Sequence, residues 1–292
     1  MSSKNRVSIL VPTMSYLRLE RLLFSLLKQT LKPYEIVIVY KGNDLNRIEE
    51  VCSRRPSLKC AIINQTRGYF THALNLCKKE ACGDIAIFTD DDAIPPPNWV
   101  KKYVKYHEIY GKSIACISSR DLYLDLKSME IKPTPDDALR VKLFRWLVRP
   151  WLERPHPLLS KYRLGVYLTK SLNVAHGPYI PSKPCFSLPF RGVNMSFKKE
   201  ALDEVEFPEN PILKRALGNE QYVGLQLIIK GYESIYLPDN PVLHEYHASL
   251  SRTNYREIKM ELDIMRSLYF RLINEYEKCK ISSRSRHKNE TR

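Results

Sequence analysis

Five short apolar runs alternate with amphipathic stretches through the first 118 residues, and this rhythm constrains the fold more than any other feature of the chain. The runs are "VSILVP" (7–12), "EIVIVY" (35–40), "CAIIN" (60–64), "DIAIF" (84–88) and "SIACIS" (113–118). Each is rich in β-branched residues and of strand length. Between the first two, "YLRLERLLFSLLKQT" (16–30) repeats apolar residues at helical spacing through Leu19, Leu22, Leu23, Leu26 and Leu27, and residues 45–53, 71–80 and 98–110 carry similar patterns. Strands of continuous apolar character separated by amphipathic helices predict an α/β fold, a doubly wound, mostly parallel sheet with helices on both faces. In such a sheet a ligand sits outside the carboxyl ends of the strands.

At that end of the fourth run stand Asp90, Asp91 and Asp92, followed by three prolines in "AIFTDDDAIPPP". If the chain is still extended there, Asp90 and Asp92 point to the same side. Two carboxylates so placed make half of a hard-cation site suited to Mg²⁺ or Mn²⁺ bridging a diphosphate. The other reading is a solvated acidic turn. The triplet is conspicuous because 47 Lys and Arg against 32 Asp and Glu leave a net charge of +15, which favours phosphorylated ligands, nucleic acid or an anionic membrane surface.

Other classes recede. The seven cysteines form no Cys-x-x-Cys pair and no Cys/His quartet at zinc spacing, so they read as free thiols in a reducing compartment. The apolar run at the N-terminus ends at Pro12, too early for a signal peptide or a transmembrane span. A sugar-phosphate nucleotidyltransferase would carry a glycine-rich phosphate loop after its first strand, whereas "VPTMSYLRL" contains no glycine. An RNA-binding protein would account for the charge, yet no RNA-binding module is recognisable and the Asp triplet would repel phosphate without a metal. No nucleic-acid partner is expected.

The chain resembles the inverting glycosyltransferases of family 2, which have the GT-A fold. The resemblance lies in "VSILVPT" with the "LLFSLLKQT" helix, "PYEIVIV", "ALNLCKKEACGDIAIFTDDDAIPPPNWV", "FRGVNMSFKKEAL" and "GNEQYVGLQLIIKGYESIYLPDNPVLHE". It covers residues 7 to about 118 and 188 to about 247. No piece is specific alone; their order and spacing carry the match.

The resemblance implies a nucleotide-sugar donor, a divalent cation (Mn²⁺ or Mg²⁺) and roles for particular residues. Asp90 and Asp92 take the place of the Asp-x-Asp pair, with Asp92 toward the metal and Asp90 and Asp91 on the donor side. Pro12 and Thr13 close the first strand where the family holds the nucleobase, and Tyr40 ends the second, where relatives usually have an acid. Either Tyr40 stacks on the base or Asp44 substitutes for the missing acid. Arg67, in the loop before the helix bearing Asn75, is either a phosphate contact or a surface cation. On the acceptor side stand Gly192 and Asn194, in what is otherwise a plain edge strand, and Asn219 as a helix N-cap. Glu220 occupies the place of the catalytic base, with a first-turn glutamate favoured by the helix dipole as its alternative. His244 matches the position of a metal-ligating histidine, with His247 close by. Gln226 replaces an arginine common in relatives.

The expected organisation is a nucleotide-sugar half at 1–118, an insertion at 119–187, an acceptor half at 188–250, a C-terminal helix at 251–280 and a disordered basic tail at 281–292. The helix should bury a stripe through Ile258, Leu262, Met265, Leu268, Leu272 and Tyr276. Residues 136–168 of the insertion interleave Arg and Lys with Leu, Phe, Val and Trp, too charged to span a bilayer. They either lie on a membrane or pack on the domain with snorkelling cations. The expected setting is cytoplasmic, peripheral on the inner face of the membrane, with a glycan or lipid-linked hydroxyl acceptor.

Overall fold

The computed structural model describes residues 5–134, 137–246 and 255–290. The front of the chain forms β1 (Val7–Thr13), α1 (Tyr16–Leu27), β2 (Glu35–Tyr40), α2 (Leu45–Ser53), β3 (Cys60–Asn64), α3 (Phe70–Glu80), β4 (Ile85–Phe88), β5 (Ala93–Ile94), α4 (Trp99–Tyr110) and β6 (Ile114–Ser118). The middle adds β7 (Asp121–Asp125), β8 (Glu130–Lys132), α5 (Leu139–Leu143), α6 (Arg149–Leu152), β9 (Val166–Leu168), β10 (Val174–His176) and β11 (Cys185–Phe186). The chain then forms β12 (Met195–Lys198), α7 (Lys199–Leu202), α8 (Asn219–Ile229), β13 (Glu233–Tyr236), β14 (Val242–Glu245) and α9 (Tyr255–Glu290).

The main sheet has eight strands in the order β11-β13-β6-β12-β4-β1-β2-β3. β1 runs parallel to β2 and β4, β2 to β3, and β13 to β6; β12 is antiparallel to both its neighbours and β11 to β13. This is the expected doubly wound, mostly parallel sheet. "RGVNMSF" corresponds to a one-turn 3₁₀ segment (Gly192–Asn194) leading into β12, which is an interior strand and not an edge.

Strand alternation explains the two cores. Ile9, Val11, Ile36, Ile38, Ile85 and Ile87 point to one face, covered by α1, α2 and α4, while Leu10, Val37, Val39, Ala86 and Phe88 point to the other, covered by α3, α7 and α8. Every one of these side chains is buried, which is why the runs are apolar throughout instead of alternating. A third cluster joins residues 159–168, α8, β13 and α9. The expected insertion is therefore part of the body: β7 and β8 pair into a second sheet, β5-β14-β7-β8, and the 159–168 stretch shares a core with the C-terminal helix. The seven cysteines are free.

Two expectations for the C-terminus are corrected. The helix does not stop near 280 but continues to Glu290, since no Gly or Pro interrupts 255–290 and its Lys, Arg and Glu residues are good helix formers. Met265, Leu268 and Leu272 of the predicted stripe pack on the third core, but the most buried line runs Glu261, Met265, Tyr269, Ile273, which shifts the centre of the packed face.

His107 on α4 is buried, with Nε2 3.0 Å from Ser196 Oγ. Burial, aided by the charge of Lys198, pushes its pKa down to about 3. An unfolded histidine titrates near 6.5, so as pH falls below that value the unfolded chain takes up a proton that the folded chain refuses. Folding stability contributed by this residue is complete above pH ~6.5 and is lost at about 1.4 kcal/mol per pH unit below it, down to the lowered pKa. Urea unfolding across pH 4–7 should show this slope in the wild type and a slope shallower by one proton in His107→Gln; parallel slopes would place the acid sensitivity elsewhere.

Candidate active site

The second sheet gathers the site. β4 continues its ladder to Thr89, whose N–H donates to Leu10 O, and the chain then turns, with Ala93 N–H donating to Asp90 O. β5 follows at once and pairs with β14, placing His244 opposite Ala93; β14 in turn pairs with β7, placing His244 opposite Tyr123 and Val242 opposite Asp121. Three segments far apart in sequence thus end at one place.

Asp90, Asp92 and His244 offer ligand atoms that all lie within 4.8 Å of one another. His244 Nε2 is 3.0 Å from Asp92 Oδ1, and its Nδ1 is 3.0 Å from Asp121 Oδ2. Arg18 Nη1 approaches Asp92 Oδ2 at 3.7 Å from the outer side. Two carboxylates and an imidazole are a donor set that Mn²⁺ accepts, and a carboxylate behind the imidazole fixes its orientation. The residues fit a divalent cation.

The geometry that unites Asp90 and Asp92 differs from the expected one. The triplet lies in a turn, not in extended chain, and the turn sends Asp91 the other way, where it accepts a 2.6 Å hydrogen bond from Thr13 Oγ1. Asp91 and Thr13 therefore brace the end of β1 against the turn; Pro12 stands half-buried beside them.

The charges are concentrated. Burial, reinforced by the charge of Asp92, pushes Asp90 up to about 7. Burial also raises Asp91, against the hydrogen bond from Thr13. For His244 burial opposes the charged form, but hydrogen bonds to Asp121 and Asp92 prevail and raise it to about 10. Asp121 is held below the usual range despite its burial, chiefly by the His244 hydrogen bond and then by Arg191, whose Nε lies 3.5 Å from Asp121 Oδ1. The charge of Asp92 beside Asp90 is a repulsion that a bound cation would relieve.

Glu220 opens α8 in the first turn. The helix is preceded by a tight turn with Ala216 at φ +50° and Gly218 at φ +96°, and a Cβ at Gly218 would come within 2.5 Å of the Tyr269 hydroxyl. α9 holds this turn: the buried Glu261 accepts from Ala216 N–H at 2.7 Å, and Tyr269 donates to Gly218 O at 2.7 Å. Glu220 is itself half-buried, and burial raises its pKa against hydrogen bonds from its own backbone N–H and from the Gln221 side chain and, least, the charge of Arg191. Arg191 pairs with Asp121, and its charge is also felt, weakly, at Glu220.

Several expected ligand contacts are used inside the fold. Asn194 is buried; its Oδ1 accepts from Trp99 Nε1 at 2.8 Å and from the Tyr103 hydroxyl at 2.6 Å, and its Nδ2 donates to Arg120 O and Asn240 O. It ties α4 to β12 and to the loops before β7 and β14, and is not placed to meet an acceptor. Asn75 binds the backbone of Phe207 at both amide atoms, and Glu209, fixing α3 to that loop segment. Tyr40 is a core residue whose hydroxyl accepts from Asp44 N–H at 3.0 Å beneath Gly42, so its ring has no face left for a base. Asn219 is the first helical residue and not the cap, a place taken by Gly218; its Nδ2 donates to Ala216 O at 2.9 Å. Arg67 is exposed, and Gly68 beside it has φ +74°. At Gly192 a side chain would meet open space, so nothing in the fold itself requires glycine there. Gln226 bonds the backbone and so ties α8 to the 205–207 segment. His247 lies outside the described residues.

Asp121, Arg191, Glu261 and Tyr269 were not foreseen. Asp121 had a signal: it follows the fifth apolar run as the triplet follows the fourth, so the rule placing ligands at strand ends applies to it equally.

The model of glycosyl transferase family 2 matches residues 8–154, just over half of the chain. A Bacillus subtilis (strain 168) protein described as the uncharacterized glycosyltransferase YwdF is 36% identical over 102 residues, 34% of this chain and 37% of that protein. Among solved structures, the mannosyltransferase PcManGT of Pyrobaculum calidifontis, in complex with GDP-Man and Mn²⁺, superposes with a TM-score of 0.59 at 18% identity, over 94% of this chain and 65% of its own. GalNAc-T7 with UDP, GalNAc and Mn²⁺ gives 0.63 at 15% identity, over 90% and 48%, and S. aureus TarS 1–349 with UDP-GlcNAc gives 0.57 at 14%, over 89% and 65%. The chain thus spans about a third of the curated relative and 48% to 65% of these structures. At such identities the structural likeness establishes the fold, which is GT-A. Sheet order, site position and the family match over 8–154 agree, and the chain belongs to glycosyl transferase family 2.

Proposed function

We propose that this chain transfers a sugar from a nucleotide-sugar donor to a hydroxyl acceptor with inversion at the anomeric carbon, assisted by a divalent cation. The observation that carries the proposal is the convergence of Asp90, Asp92 and His244 at the carboxyl end of β4, with Asp121 behind the His244 ring. The complexes of one structural relative with GDP-Man and Mn²⁺ and of another with UDP, GalNAc and Mn²⁺ support it. Asp90, Asp92 and His244 would hold the cation, which when bound supplies Lewis-acid stabilisation of the departing diphosphate. Asp121 orients the His244 ring. Pro12, Thr13 and Asp91 shape the donor end of β1, and exposed Arg67 is free to meet phosphate. Glu220 takes the proton of the acceptor hydroxyl while that oxygen bonds to the anomeric carbon and the carbon–phosphate oxygen bond breaks, releasing the nucleoside diphosphate. Its raised pKa suits a base that must hold a proton, and the rate should fall as pH drops through that raised value, earlier than for an ordinary glutamate. The acceptor is a glycan or lipid-linked hydroxyl near a membrane surface.

A thermal-shift series with UDP-, GDP- and dTDP-sugars tests the donor reading. One donor at about a hundred times its Kd should raise stability by about 2.7 kcal/mol, and only with Mn²⁺ or Mg²⁺ present. No shift with any of them would defeat the proposal.

A further inference from the structure

The segment from Leu139 to Leu152 is turned inside out for a helix in water. Its sequence, LRVKLFRWLVRPWL, contains four cations and no acid. It runs as α5, a π-helical turn at Phe144–Val148 and α6; Pro150 offers no amide hydrogen to the preceding turn, which accounts for the widened geometry. Arg145 is buried, and Arg149 faces the body, donating to His176 O at 2.7 Å. The apolar residues face out: Leu139, Leu143, Trp146, Leu147, Trp151 and Leu152 are between 46% and 76% exposed. A helix packed on its domain buries the apolar face and leaves arginine to solvent; this one does the reverse.

We propose that the outer face of this helix docks on an anionic lipid bilayer. Charge selects this occupant over a protein surface. Arg140 and Lys142 flank the apolar face and are exposed, as is Arg154 just beyond it, and the chain as a whole carries +15. Two tryptophans beside cations, with no carboxylate in the segment, are the composition of a helix lying at the headgroup level. Among the described residues no helix is long and apolar enough to cross a membrane, so the contact is in plane. Beside the same helix lies a cavity of about 580 Å³ lined by Arg120, Arg145 and Tyr179, with Trp146, Leu143 and Lys142 at its outer edge. Arg120 immediately precedes Asp121, so docking would bring the bilayer beside the reaction site. The proposal thus refines the reading of a membrane-proximal acceptor and rests on it only for that consequence.

Sedimentation of the full chain with vesicles tests the docking without donor or acceptor. Vesicles of phosphatidylcholine with 30% phosphatidylglycerol should retain the protein at about 50 mM salt, and neutral phosphatidylcholine vesicles should retain at least about tenfold less. Raising salt should release it. Leu147→Glu with Trp151→Glu should abolish retention, and Arg140→Glu with Lys142→Glu should lower it about tenfold or more. Because Trp99 is buried, a blue shift of tryptophan emission on vesicle addition reports Trp146 and Trp151. These positions are exposed, and an unchanged melting temperature verifies that the variants fold. No retention by anionic vesicles at low salt, equal retention by neutral ones, or retention unaffected by the substitutions overturns the proposal. A concentration-dependent dimer lost in Leu147→Glu, without vesicle binding, would instead assign the face to a second copy. Nucleotide-sugar hydrolysis measured without vesicles stays intact in any of these cases if the glycosyltransferase reading holds, so the two can fail separately.

Discussion

Asp92→Asn should lower metal-dependent sugar transfer by about 10³-fold or more and remove the enhancement of donor binding by Mn²⁺. Asp92 is 7% exposed and faces His244 Nε2 at 3.0 Å, so its oxygen lies where the three ligand atoms converge. An amide keeps the shape but surrenders the charge, and losing one of two carboxylates weakens a hard-cation site severely. Asp91→Asn is the control from the same turn. Its carbonyl oxygen can still accept from Thr13, and the side chain is directed away from the group, so the loss should stay within about tenfold. Asp121→Asn, which keeps all three ligands but weakens the hold on the imidazole, should fall between them, with metal affinity lower by about 10–100-fold. Calorimetric titration of Mn²⁺ into each variant gives the ranking directly. Since Asp92 also pairs with Arg18 and His244, melting temperatures are read alongside. Unchanged Mn²⁺ affinity in Asp92→Asn, or equal losses at Asp91 and Asp92, would remove Asp92 from the cation site.

The front of the fold was legible because both faces of the sheet are covered. A strand buried on two sides must be apolar throughout, and a helix buried on one side must repeat its apolar residues near every third or fourth position; β1, β2, β4 and α1 obey both demands. The strand-end rule then led from the sheet to the Asp triplet without any knowledge of partners. What the rule cannot supply is where a polar side chain spends its hydrogen bonds. Asn194 and Tyr40 sit at strand ends and Asn75 on α3, and all are used by the fold, through Trp99 and Tyr103, the Asp44 amide and the Phe207 backbone respectively. Those partners lie up to 132 residues away, and their pairing depends on sheet order.

The same limit explains the unforeseen residues. Glu261 and Tyr269 lie off the apolar stripe expected for the C-terminal helix, yet they fasten the turn that aims α8. A buried carboxylate inside a helix is costly unless it is paired, and here two backbone N–H groups offset that cost. The helix 139–152 shows the opposite case. Its composition suggested a surface role from the sequence, but periodicity alone left open which face turned outward; the inward arginines decide that only when the packing is seen.

Glu220→Gln should leave Mn²⁺-dependent donor affinity within about twofold of wild type and lower turnover by about 10²–10⁴-fold. The prediction separates two explanations of a glutamate in the first turn of a helix. If Glu220 serves only the helix dipole, its removal costs a fraction of a kcal/mol in stability, about 0.3–1, and leaves turnover untouched. If it is the base, the loss appears in the chemical step, because glutamine can accept a hydrogen bond from the acceptor but cannot hold its proton. The environment favours the second. A dipole-stabilised surface carboxylate would have a lowered pKa, whereas burial raises that of Glu220 against the pull of Arg191. The turn before it is held in left-handed geometry by α9, an investment of strain and buried hydrogen bonds that a solvated helix start does not need. Single-turnover kinetics at saturating donor give the readout, with Glu220→Asp as a second variant that retains a carboxylate set back by one methylene. Partial recovery in Glu220→Asp, with a pH–rate profile still rising through a carboxylate pKa, would identify the proton acceptor at this position. Wild-type turnover in Glu220→Gln would exclude it and move the search to Glu245 and Asp239.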